Sequence, residues 1–158
     1  MQTGSVEAIY ISPEAGVLPT EVESVAAVAG RGLEGDRYFR DAGTFSDEPR
    51  SNGRDITLIE AEAVEGLARD TGIELEPAAT RRNVVTRGIA LNDLVGRRFT
   101  VGEVECMGRR LCDPCSHLEK LTQPGVLKGL VERGGLRADV VRDGEIRVGD
   151  EVRELPSS

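Results

Sequence analysis

Large side chains are scarce in this chain: 158 residues contain no tryptophan, one histidine, two tyrosines and three phenylalanines. A core must therefore be packed mainly from valine, leucine, isoleucine and alanine. Lysine is almost missing too, since only Lys120 and Lys128 break an otherwise all-arginine set of 20 basic residues against 28 acidic ones. With a net charge of −8 and a pI near 4.8, the chain lacks the basic surface from which polyanion binders gain affinity by counterion release, so no nucleic acid partner is expected. The acidic surplus also suits a saline cytoplasm. The longest apolar run is Val25 to Ala29, far short of the ~20 residues that span a bilayer, so no membrane partner is expected. The opening MQTGSVEAIYIS carries no basic segment followed by an apolar one, so no secretory signal is expected and the cytoplasm is the expected compartment. Three cysteines, two of them in a Cys-x-x-Cys spacing, suit reduced and chemically used thiols better than a disulfide framework.

What is present reads as many short strands. Val6, Ala8 and Tyr10 alternate with Glu7 and Ile9, and Val22 to Ala29 is a second β-like stretch that ends in glycines. Asp55–Ile59, Asn83–Thr86, Arg97–Val101 and Glu103–Gly108 follow, the last two joined by a tight turn at Gly102. A hairpin is expected over residues 138–148 around Asp143-Gly144, and a last short strand over Val152–Leu155. Glu60–Asp70 has the helical spacing Ala61, Val64, Leu67, Ala68 and a stop at Gly72. Shorter helices are expected over Ser116–Leu121 and Pro124–Arg133, and a polar surface loop over Asp41–Arg54. The sum is one mainly β domain over residues 3–155, a closed or nearly closed β-barrel with two or three short helices.

Chemistry concentrates between Cys106 and His117, which gathers all three cysteines and the single histidine. Cys106 shares a strand face with Val104 and reads as a small buried hydrophobe. Cys115 follows Pro114 and precedes an expected helix, a setting that favours the thiolate needed for nucleophilic attack, persulfide carriage or soft-metal ligation. Cys112 stands three residues before it and completes the Cys-x-x-Cys pair. A Cys₃His zinc site, a thioredoxin-like pair and inert loop thiols are the competing readings. The pair Arg81-Arg82 before Asn83 is either a solvated edge or a phosphate-binding fork. The run Gly32-Leu33-Glu34-Gly35-Asp36-Arg37 is either a turn with a local ion pair or a backbone that closely approaches a ligand.

Taken in order, GLEGDRY, TRRNVVTRGIALNDLVGRRFTVGEVECMGRRLCDPCSHLEKL and GGLRADVVRDGEIRVGDEV resemble the MOSC domain family, the molybdenum cofactor sulfurase C-terminal domain, from about Val6 to Leu155. The resemblance implies a barrel of the pyruvate kinase type and binding of the molybdenum cofactor (molybdopterin). It implies that Cys115 is the sulfur carrier or the molybdenum ligand. It also implies that Arg81, Arg82 and Asn83 line the cofactor pocket and that Asp36 and Arg37 form the family's Gly-Asp-Arg turn. Tyr38 stands where relatives often carry histidine, which puts any imidazole role there in question. With five residues ahead of the match, pyridoxal phosphate, carried by relatives in a separate desulfurase domain, is not expected on this chain. A separate cysteine desulfurase is the expected sulfur donor, and a molybdoenzyme acceptor or a redox partner is the expected second protein. Three functions follow from the resemblance: sulfur transfer through a Cys115 persulfide, reduction of N-hydroxylated compounds at a Cys115-ligated molybdenum, or non-catalytic carriage of the cofactor.

Overall fold

The computed structural model describes residues 2–11, 19–36, 55–72, 82–111 and 135–156. In chain order the strands are β1 (Thr3–Ile11), β2 (Thr20–Val22), β3 (Ser24–Val28), β4 (Gly32–Leu33), β5 (Ile56–Glu60), β6 (Val84–Arg87) and β7 (Arg98–Val101). They continue as β8 (Val104–Leu111), β9 (Leu136–Arg142), β10 (Gly144–Arg147) and β11 (Glu151–Glu154). Helix α1 (Ala61–Thr71) links β5 to β6, and a 3-10 turn covers Leu91–Leu94. The sequence-expected helices over 116–121 and 124–133 and the polar loop over 41–54 lie outside the described residues. No helix among the described residues is long and apolar enough to cross a membrane.

Seven strands close a barrel in the order β1, β6, β5, β9, β8, β7, β11, with β11 pairing back onto β1. Only β5 and β6 run parallel within this ring, and α1 supplies the crossover that parallel neighbours require. The alternation that sequence periodicity marks turns Phe99, Val101, Val104 and Cys106 into one sealed core with Ile56, Leu58, Val84, Leu136 and Val140. Closure removes the sheet edges that would otherwise invite pairing with another chain, apart from the short β2 appended to β1. The expected β7–β8 turn forms at Gly102, whose φ of +60° lies in the left-handed region.

Helix α1 forms where its spacing predicts. Ala61, Val64 and Leu67, joined by Ala63, pack on Ala8, Tyr10, Ile59 and Val85 on the outside of the barrel. Gly72 ends it in a left-handed cap, its N–H donating to Ala68 O at 2.8 Å.

Three local expectations are corrected. Val6 does not share a face with Ala8 and Tyr10: a bulge between Val6 and Ala8 sends Val6 and Ile9 into the barrel and leaves Ala8 and Tyr10 facing α1. The stretch Val22 to Ala29 bends at Glu23, so β2 joins the barrel while β3 leaves it. Asp143-Gly144 does not close a hairpin either. β9 pairs with β5 and β8, whereas β10 pairs with β3 in a separate three-stranded sheet, β10-β3-β4. The Asp143 carboxylate accepts from the Ala29 N–H at 2.7 Å, tying this corner to the β3 end instead of folding it back on β9. Val25, Ala27, Leu33 and Ile146 of the small sheet join the core of the barrel.

Candidate functional site

The Gly-Asp-Arg segment leaves β4 through a tight turn in which the Asp36 N–H donates to Leu33 O at 3.2 Å. Gly35 occupies its third position with φ +87°, a left-handed value that glycine adopts without strain. A Cβ there would stand 3.0 Å from Ile11 Cδ1, so the turn rests on the end of β1. The turn itself is thus formed, and it leaves the Asp36 carboxylate buried.

Asn83 meets that carboxylate from the head of β6. Its Nδ2 donates to Tyr10 O at 3.1 Å and to Asp36 Oδ1 at 3.5 Å, while its Oδ1 accepts from the Thr57 N–H and the Thr57 hydroxyl, each at 3.0 Å. The Asn83 main chain is held as well, its N–H by Thr57 O at 3.0 Å and its carbonyl by the Tyr10 N–H at 2.6 Å. Both amide protons and both lone pairs are thereby used. Two motifs that are 47 residues apart in sequence, Gly-Asp-Arg and Arg-Arg-Asn, thus share one corner. Arg82 is half-buried beside it. Arg37, Arg81, Cys112 and Cys115 lie outside the described residues, as do Tyr38 and His117.

The segment carrying Cys112 and Cys115 is anchored at Leu111 and Gly135. Leu111 pairs with Leu136, Leu136 with Leu58, and Leu58 with Val84, so the residue before Cys112 and the residue after Asn83 stand in one row across four strands. Three inter-strand steps make that at most about 14 Å. Gly135 permits the anchorage: at φ +112° a Cβ there would sit 2.0 Å from Leu58 O.

Cys106 stands apart from this chemistry. It is wholly buried between Phe99 on β7 and Val140 on β9. Burial first, and the nearby Asp55, Glu105 and Asp139 carboxylates next, push its thiol well above the ordinary cysteine value. That bears out the small-hydrophobe reading and removes its sulfur from any zinc set with Cys112, Cys115 and His117, because its side chain points into the sealed core. Among the described residues no group of three acidic, histidine or cysteine side chains is placed to hold a metal.

Three contributors escape the sequence reading. Thr57 and the Tyr10 main chain complete the Asn83 corner, and their signal was only that Thr57 is the one hydroxyl residue among Ile56, Leu58 and Ile59. Arg109, three residues before Cys112, has its Nε 2.7 Å from the buried Asp139 carboxylate and binds the bulged end of β8 to β9. Nothing local marks that pair, because it depends on the register of two strands.

Of the residues that the resemblance assigns to a phosphate-bearing pterin and its metal, the described Arg82 suits a phosphate in kind, while Arg37, Arg81 and Cys115 lie outside the described residues. Asn83 fits as a frame and not as a direct donor, since its amide is already saturated.

Fold and corner together define a small closed β-barrel in which two distant polar motifs are joined at one point. Residues 46–153 match the family model described as the MOSC domain, and the chain belongs to that family. The YuaD protein of Bacillus subtilis has the same fold, with a TM-score of 0.81 at 19% identity over 100% of both chains. YiiM of Geobacillus stearothermophilus aligns at a TM-score of 0.71 and 16% identity, over 97% of this chain and 75% of that one. YiiM of Escherichia coli gives 0.71 and 17%, over 100% of this chain and 71% of that one. At these identities the likeness is one of fold. No protein of curated function matches the chain.

Proposed function

We propose that this MOSC protein binds the molybdenum cofactor and carries sulfur as a persulfide on Cys115. The observation that carries the reading is the contact between Asp36 and Asn83, which unites the two motifs that the family resemblance assigns to the cofactor pocket. Arg81 and Arg82 would hold the phosphate, Asp36 and Arg37 would frame the same edge, and the Cys115 thiolate would face the metal. When bound, the cofactor supplies a molybdenum centre that accepts a sulfur ligand.

In the loading step the Cys115 thiolate attacks the terminal sulfur of a desulfurase persulfide. The donor's S–S bond breaks, a new S–S bond forms on Cys115, and the donor cysteine leaves as its thiolate, with no external oxidant or reductant. For release, the Cys112 thiolate attacks the Cys115 sulfur: the bond to the terminal sulfur breaks, a Cys112–Cys115 disulfide forms, the terminal sulfur leaves as hydrosulfide for the acceptor, and an external dithiol reductant restores both thiols.

The test is intact mass spectrometry of the wild type and Cys115→Ala, native and denatured, after incubation with a cysteine desulfurase, cysteine and the cofactor. A gain of one sulfur that survives denaturation, disappears on reduction and is missing from the variant supports the reading. A pterin-sized adduct found only in the native wild type, without added sulfur, replaces it with a cofactor-ligating reductase or a carrier.

A further inference from the structure

The saturated amide of Asn83 assigns it a role different from the ligand contact that its motif suggests. Ladder pairing already holds β6 to β5 and to β1, and any side chain at position 83 would leave those main-chain bonds possible. What the amide adds is a link to another part of the molecule. The Asp36 turn belongs to β4 in the three-stranded sheet, and among the described residues no ladder joins β4 to β6. Only a side chain with an acceptor for Thr57 and two protons, one for Tyr10 O and one for Asp36 Oδ1, can span this junction, and an amide of this length supplies both.

A carboxylate opposes a phosphate directly, so Asp36 serves an anionic ligand through the turn it fixes and not by contact. Arg37 follows Asp36 and Arg82 precedes Asn83, so fixing the Asp36–Asn83 contact fixes the spacing of two arginine-bearing segments. We propose that Asn83 is a positioning residue that locks the Asp36 turn to the head of β6, so that the Gly-Asp-Arg and Arg-Arg-Asn motifs present one edge to an anionic pterin. The inference rests on the cofactor reading above and concerns which residue organises the site, not which touches the ligand.

The test compares binding of molybdopterin, released from a molybdoenzyme and followed by its pterin fluorescence, to the full chain as wild type, Asn83→Asp, and Asn83→Asp combined with Asp36→Asn. Melting temperature is read in parallel. Asn83→Asp keeps the acceptor for Thr57 but sets a carboxylate against both Asp36 and Tyr10 O. The expected result is a folded protein whose affinity falls about tenfold, as the tether to Asp36 turns from attraction to repulsion. The double variant restores a donor facing an acceptor between positions 36 and 83 while Tyr10 O stays without its donor in both variants, so it is expected to recover the part of the loss that belongs to the 36–83 contact. A purely structural role predicts a lower melting temperature with unchanged affinity, and that result overturns the inference while leaving the cofactor reading intact. A double variant no better than the single one also overturns it. A wild type that takes up no pterin overturns both. If Asn83→Asp does not fold, Thr57→Val reads the same tether: weakened binding supports the proposal, and unaltered binding rejects it.

Discussion

The barrel interior and the Asp36–Asn83 corner are held by opposite physics. Around Cys106 and Phe99 the core is packed mainly from apolar side chains whose contacts are non-directional, so position is set by volume. At the corner, stability and placement rest on a few directional bonds among Asn83, Thr57, Tyr10 and Asp36, each of which fails if its partner moves by an ångström. The interior therefore tolerates chemistry that conserves volume, and the corner tolerates only changes that conserve donors and acceptors.

That contrast can be broken at several points. Phe99→Ala removes a ring buried to 0% exposure and is expected to cost about 3–5 kcal/mol in urea unfolding. A loss below 1 kcal/mol would mean that the barrel is not closed around it. Asn83→Ala leaves the Thr57 N–H and Tyr10 O without their side-chain partner, for a loss of about 2 kcal/mol by the same measurement. Asn83→Leu, of similar size, is expected to be no milder, which separates the corner from the core.

Cys106→Ser places a hydroxyl in a fully buried position of the core at a cost of about 2 kcal/mol. The raised titration of the Cys106 thiol also predicts its silence towards a thiol reagent at pH 8 in the folded chain. Peptide mapping after labelling checks this, and modification of Cys106 before unfolding would contradict the sealed interior.

The smallest effect is expected at the exposed junction of β1, β6 and α1, where Arg87 pairs with Glu7 and, at 2.5 Å, with Glu65. Its hydrogen bond with Arg87 holds the Glu65 carboxyl below the ordinary 4.5, so the pair adds stability above that pH and loses it as pH falls through the lowered value. Arg87→Ala should lower the melting temperature slightly at pH 7 and low salt. The difference should vanish in strong salt or strong acid.

Much of the fold was legible because its signals are local. The helix over 61–71 follows from apolar spacing and the stop at Gly72, and the β7–β8 turn follows from Gly102. The placement of Cys106 beside Val104 follows from strand alternation. The bulge at Val6/Ala8 was not legible, because a single inserted residue changes which side chains face inward without altering the apolar pattern. The failed hairpin at Asp143-Gly144 has the same origin. A turn signal fixes where the chain bends, while the strand it then joins is chosen by partners elsewhere, here β3 and the Ala29 N–H. For the site, residue types and motif order marked Asp36 and Asn83, but Thr57 and the main chain of Tyr10 carry no motif of their own.

The sequence by itself determined the elements, the mainly β class, the family and the residues worth testing, because periodicity, turn chemistry and motif order are written along the chain. Only the tertiary structure decided the order in which the strands close into a ring and the partners between which Cys106 is sealed. It alone brought Asp36 against Asn83 across 47 residues. Those facts depend on register between distant strands, and register is settled by burial and hydrogen bonding across the whole barrel rather than by any window of sequence.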